Sequence, residues 1–172
     1  MSAISLENIE KASAQFWEQM LMMHLEPCGE TWARRDQQRC MEPNHVAAYC
    51  DLSGVWVGRI EVRLTVGLAR EATAAMLMQP VETVESADTL DATKEIANMI
   101  AGTLKSALPR PCSMTVPSAL WESGEFCVLP CTKDTVTVFF QHEAGELMVR
   151  VWQQMEAAAA PAPHEELTAL CA

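Results

Sequence analysis

What the chain lacks narrows it first. No apolar run approaches the roughly 18 residues that a helical membrane span needs. The first residues, Met1-Ser2-Ala3-Ile4-Ser5, carry no basic n-region and no apolar signal core, so a cytoplasmic location is expected. Basic residues are scarce: 12 Lys and Arg stand against 23 Asp and Glu, a formal net charge of −11. That balance argues against nucleic acid and anionic membrane as partners, and suits a partner that presents a cation. The sequence contains no Gly-x-x-x-x-Gly-Lys-Ser/Thr, Gly-x-Gly-x-x-Gly, His-Glu-x-x-His or Gly-x-Ser-x-Gly. Nucleotide loops, a zincin cage and a nucleophile elbow are thereby removed from consideration. Cys-x-x-Cys is absent too. His24, Cys28, Cys40 and His45 could supply four ligands, but without paired spacing a structural zinc is not expected. The seven cysteines, odd in number and without a secretory signal, read as small buried hydrophobes rather than a disulfide framework.

What is present is a globular pattern. The 172 residues suffice for one domain with a proper core, and 49% of them are apolar. Residues 5–25 read as a helix capped by Ser5, with Ile9, Ala12, Phe16, Met20 and Met23 facing inward. Residues 27–44 are polar and irregular, with a short strand expected near Trp32. From His45 the period changes to two. Residues 46–52 and 59–64 form a hairpin around Ser53-Gly54, with Ile60, Val62 and Leu64 toward the core. Arg59, Glu61 and Arg63 alternate with them and are expected on a solvated sheet surface. Thr65 caps a second helix that Pro80 closes. Beyond residue 111 come strands at 112–116, 126–129, 135–141 and 147–152, separated by Pro117, Ser123-Gly124 and Ala144-Gly145. The expected fold is α+β: a single domain of about six mostly antiparallel strands with helices packed on one face. It spans 1–155, and the Ala/Pro-rich residues 156–172 are expected to form a flexible tail.

One helix carries the interest. Residues 91–108 are amphipathic, opened by Ser86 or Asp88 and stopped by Pro109 and Pro111. Ile96, Ile100, Leu104, Ala107 and Leu108 gather on one side, with Ala97 and Ala101 on its flank. Asp91, Glu95, Asn98, Gly102 and Lys105 gather on the other. Glu95 and Asn98, three residues apart, are surface neighbours. Asn is a poor helix former, and Gly102 costs about 1 kcal/mol relative to Ala. On spacing alone, a solvated face that happens to hold Glu and Asn is the simpler explanation. Yet no other constellation in the chain offers chemistry.

The stretch Glu95-Ile96-Ala97-Asn98-Met99-Ile100-Ala101-Gly102 resembles the signature of the CheC/CheX group of chemotaxis phosphatases, CheX most closely. The Ser53-Gly54…Gly58 hairpin and the Thr115-Val116-Pro117-Ser118 exit are similar to that family's segments, in the same order. The resemblance covers about residues 5–154. It implies a phosphatase acting on the aspartyl phosphate of a CheY-like response-regulator receiver domain. Glu95 and Asn98 match the family's catalytic positions: Asn98 would orient the attacking water, and Glu95 would pair with the receiver's lysine. The resemblance implies no cofactor of the chain's own; Mg²⁺ would be held by the partner receiver. A homodimer fits as well. The second helix has no Glu-x-x-Asn, so one active surface per chain is implied, as in CheX. Thr103 stands where the family often has Asn, at a position expected beside the core edge. The same resemblance also allows a non-catalytic binding or dimerisation module in signalling or the flagellar switch. A phosphatase would shorten the phosphate's lifetime; a binding module would not.

Overall fold

Alternation of apolar and polar residues builds the centre of the molecule. In a computed structural model the described residues are 4–28, 39–41, 43–124, 126–128 and 135–154. Strands β3 (His45–Gly54) and β4 (Gly58–Thr65) form a hairpin with Val46 opposite Leu64 and Leu52 opposite Gly58. Strands β8 (Thr135–His142) and β9 (Gly145–Gln153) form a second, and β9 pairs with β4. The two-residue strand β1 (Glu26–Pro27) adds to β8, while β5 (Cys112–Met114) and β6 (Ser118–Glu122) both pair with β3. The sheet has seven strands in the order β1-β8-β9-β4-β3-β5, with β6 beside β5 on β3. Every pairing in it is antiparallel. A separate ribbon joins β2 (Arg39–Met41) to β7 (Phe126–Val128).

Three helices cover one face: α1 (Leu6–Met20), α2 (Val66–Leu77) and α3 (Ser86–Lys105). Ile60, Val62 and Leu64 of β4 and Leu147 and Val149 of β9 are fully buried beneath them, with Ile9, Trp17, Leu68, Ile96 and Ile100. The expected α+β architecture with helices on one face is therefore the one observed.

Several boundaries differ from expectation. Ser5 caps α1 through a reciprocal box with Asn8. The helix nevertheless stops at Met20, where Met22 turns left-handed (φ 56°) and the Met23 N–H bonds back to the Trp17 carbonyl. Met20 is consequently 62% exposed rather than core, and Met23 is half-buried. Thr65 is the N-cap of α2, as expected, but its side chain makes no capping hydrogen bond; its hydroxyl instead accepts the Glu146 N–H (3.0 Å) and ties the α2 entry to the β8–β9 turn. The N-cap of α3 is Glu85, not Ser86 or Asp88. Strand β6 goes unread in the sequence because Pro117 looks like a terminus. The expected strand near Trp32 and the tail from 156 lie outside the described residues.

The largest correction concerns the other sheet face. Glu61 and Arg63 are 4% and 7% exposed, not solvated. The Glu61 carboxylate accepts from Arg63 Nε (2.5 Å) and from both Nε (2.9 Å) and Nη2 (2.5 Å) of Arg150, its direct cross-strand neighbour. Arg63 also reaches Glu122 and lies 2.6 Å from His45 Nε2. The Arg63 hydrogen bond holds the Glu122 carboxyl below the usual carboxylate range. Met41, Phe139 and Met148 are buried on this same side of the sheet. Two faces thus carry buried layers, one apolar under the helices and one partly ionic.

Candidate functional site

Helix α3 lies across β3 and β4 and touches α1, α2 and β6. Its inner side explains why it sits close: Ala97 and Ala101 are fully buried and small, between buried Ile96, Ile100 and Leu104. Thr93 is also buried, its hydroxyl donating to the Thr89 carbonyl (2.7 Å), so it carries no unsatisfied polar group. The helix ends at Lys105, earlier than the periodicity suggests, which leaves Ala107 exposed while Leu108 stays buried.

With that side packed, the expected outer residues face out. Glu95 and Gly102 are exposed and Asn98 is half-buried. Among the described residues, neither Glu95 nor Asn98 makes a side-chain hydrogen bond or ion pair; Asp91, a turn earlier, is taken by Lys94 (2.8 Å). A carboxylate and a carboxamide held on a rigid 20-residue helix, both unpartnered, keep their hydrogen-bonding capacity for another molecule.

The opposite wall comes from the edge of the sheet. Leu52 pairs with Met114 and Tyr49 with Ser118, so two residues of β3 face three of the edge: Thr115, Val116 and Pro117. The extra residue is a bulge, and Pro117 suits it because a bulged edge needs no ladder donor there. Asp51 pins it twice: the Thr115 N–H donates to the Asp51 carbonyl (2.9 Å), and the Asp51 N–H donates to the Thr115 hydroxyl (3.0 Å). The Asp51 carboxylate is gripped in turn by Arg59 (2.5 and 3.0 Å), whose guanidinium stacks over Tyr49. Val116 is left 87% exposed. An open cleft of about 490 Å³ results, lined by Asp91, Lys94, Glu95 and Asn98 from α3 and by Met114 and residues 115–117 from the edge. The bulge is the part of the site that sequence reading missed. The only signal for it was a proline followed at once by another alternating stretch, Ser118–Glu122.

The cleft holds no nucleophile activated by a base. Cys50 lies buried in β3, and burial, reinforced by Asp51, pushes its thiol up to about 11. His45 is enclosed by Arg63 and Glu122, and His24 is exposed and paired with Glu18 (2.9 Å). Among the described residues no group of three or more His, Cys, Asp and Glu side chains is placed to hold a metal ion.

The family model for the chemotaxis phosphatase CheX matches residues 46–141, from β3 into β8, with the whole of α3 and the bulge inside it. The chain belongs to the CheX family. CheX from Vibrio vulnificus superposes with a TM-score of 0.68 at 17% identity, covering 90% of this chain and 99% of that one. CheX from Desulfovibrio desulfuricans gives 0.63 at 22% identity, covering 86% and 97%. The CheX of a CheX–CheY–BeF₃–Mg²⁺ complex from Borrelia burgdorferi gives 0.60 at 13% identity, covering 89% and 99%. At such identities these structures establish the shared fold. Among curated protein sequences, none matches the chain. Within the CheX fold, Thr103 is exposed rather than at the core edge, its hydroxyl donating to the Met99 carbonyl (3.0 Å) outside the cleft. The described residues contain no helix long and apolar enough to cross a membrane.

Proposed function

We propose that this CheX-family protein hydrolyses the aspartyl phosphate of a CheY-like receiver domain, with α3 as the inserted element. One observation carries the reading: Glu95 and Asn98 stand unpartnered on a rigidly packed helix, over a cleft with no other reactive group. An acyl phosphate is already reactive. Phosphoryl transfer asks mostly for positioning and charge stabilisation, so placing one water in line is a sufficient contribution. The Asn98 carbonyl oxygen accepts a hydrogen bond from that water, and its amide nitrogen remains free to donate. A carboxylate at that position would repel the phosphoryl group. Glu95, one turn earlier, pairs with the receiver's active-site lysine and sets the register of docking. Mg²⁺ belongs to the receiver, held by the receiver's own carboxylates.

The test is the lifetime of a phosphorylated CheY-type receiver with and without the protein; an unchanged lifetime across the organism's receivers would refute the reading. Within it, Glu95→Gln keeps the shape and removes the charge. It is expected to raise KM for the phosphorylated receiver about tenfold while kcat stays within roughly twofold, the pattern of a lost uniform binding contact. A selective fall in kcat would instead place Glu95 in the chemical step.

Gly102 supplies a separate test. A Cβ built on it meets nothing within 4 Å, so the fold itself gives no reason for glycine here. Gly102→Ala is expected to stabilise the exposed helix by about 0.5–1 kcal/mol. If the bare backbone admits the receiver, the same variant loses activity while its Tm rises by roughly 1–4 °C. Higher stability with unchanged activity would show that Gly102 has no part in docking.

A further inference from the structure

The groove that holds Glu95 and Asn98 continues past Gly102. Met114 lines that cleft and also a second hollow farther along α3, walled by Gly102, Lys105, Ser106, Arg110 and Cys112. Its charge runs against the rest of the molecule, whose formal net charge is −11. Five of the described cations are engaged: Arg59 with Asp51, Arg63 with Glu61 and Glu122, Lys94 with Asp91, Arg150 with Glu61, and Arg70 on the Val81 carbonyl. Among the described residues whose side chains are placed, Lys11, Lys105 and Arg110 have no such partner. Two of these three flank one hollow, continuous with the candidate site. Lys105 has a local reason to be cationic, since it lies in the last turn of α3 near the carbonyl end of the dipole. Arg110 lies beyond the helix, so that reason does not reach it.

We propose that Lys105 and Arg110 form a cationic docking end of the groove, which receives carboxylates on the surface of the receiver. The identity of the occupant rests on the phosphatase reading above. A receiver that holds Mg²⁺ with its own carboxylates and carries an acyl phosphate is anionic where it meets α3. A strongly acidic chain would otherwise repel it. Two unpaired cations beyond Gly102 reverse the sign locally, steer the encounter and set which way along α3 the receiver lies. Lys105 and Arg110 are therefore positioning residues, not catalytic ones.

The experiment pairs steady-state dephosphorylation with titration of a beryllofluoride-loaded CheY-type receiver. The proteins compared are the wild type, Lys105→Gln/Arg110→Gln, Lys105→Glu/Arg110→Glu, and Lys11→Gln, the remaining unpaired cation, as control. Neutralising the pair is expected to raise both KM and Kd about tenfold with kcat unchanged, and reversing it to raise them at least ~30-fold. Raising salt from about 50 to about 300 mM should weaken the wild type several-fold and the neutralised variant little. Unchanged KM and Kd in the reversed variant would overturn the proposal. So would an equal loss from Lys11→Gln, which would mean that total charge alone matters. Inorganic phosphate alone serves as a further probe. If it binds the wild type, not the neutralised variant, and receiver affinity is the same in both, the hollow holds the product and the proposal fails. Wild type that binds the loaded receiver with this charge and salt dependence but leaves phosphate lifetime unchanged would uphold the docking end and refute the phosphatase reading. No binding of the loaded receiver would overturn the docking end.

Discussion

Asn98→Ala is expected to abolish most of the acceleration of receiver dephosphorylation, by about 10²-fold or more in kcat, with little change in KM or in stability. The magnitude follows from the role. In an acyl-phosphate hydrolysis the protein lends no covalent chemistry, so nearly all of its contribution lies in fixing the water, and positioning of this kind is worth several orders of magnitude. The small effect on stability follows from placement: Asn98 is half-buried, makes no side-chain hydrogen bond to the described residues, and faces the cleft rather than the core. Alanine is also the better helix former, so the fold should hold or gain slightly. Asn98→Asp separates the two properties of the carboxamide. It keeps the accepting oxygen but adds a charge against the phosphoryl group, so it should be no better than alanine. The measurement is single-turnover decay of the phosphorylated receiver at saturating protein. A variant that retains near wild-type decay would remove Asn98 from the mechanism.

The second large effect is on stability. Glu61→Ala is expected to cost about 3 kcal/mol, the low end for breaking a buried ion pair, since Arg150 keeps some solvent contact (24% exposed). The substitution removes the carboxylate that takes the Nε and Nη2 hydrogen bonds of Arg150 and the Nε hydrogen bond of Arg63, whose side chain is 8% exposed. Arg63 retains Glu122, which limits the damage. In thermal unfolding this corresponds to a Tm lowered by roughly 6–12 °C. Two comparisons make the cause specific. Replacing Glu61 and Arg150 together by apolar residues of similar volume, with Arg63 kept on Glu122, should recover part of the loss, because the Arg150 charge goes with its carboxylate. Asp51→Ala breaks a half-exposed pair with Arg59 and should cost no more than about 1 kcal/mol from the ion pair. If Glu61→Ala costs no more than that, the network is solvated after all.

These two expectations mark the two ends of what the sequence makes legible. The α3 face was readable because a helix has one period and one packed side. Ile96, Ala97, Ile100, Ala101 and Leu104 are all buried, so Glu95, Asn98 and Gly102 had to face elsewhere. The ionic layer was not readable. Alternation in Arg59-Ile60-Glu61-Val62-Arg63-Leu64 correctly separates two faces, and the apolar set is indeed fully buried. It carries no information about what else covers the polar set. That depends on Arg150 arriving opposite Glu61 from β9 and on Glu122 arriving opposite His45 from β6, contacts between residues far apart in the chain. The end of α1 was misread for a related reason. Met20 and Met23 continue the helical period, but Met22 leaves the helix in a left-handed turn that methionine does not advertise.

By itself, then, the sequence determined the class of the fold and the outward placing of Glu95 and Asn98 on α3, because local periodicity dictates which residues of one element must be buried together. Only the tertiary structure decided that these side chains have a wall opposite them. The wall exists because β5 and β6 are one edge strand interrupted by a bulge, and Asp51 of β3 holds that bulge by two hydrogen bonds. The same structure decided that the groove runs on to one hollow lined by Lys105 and by Arg110, which lies beyond the end of the helix. A register between strands and a hollow between a helix and a sheet edge are properties of packing, and packing is set by residues too distant in sequence for any local pattern to join.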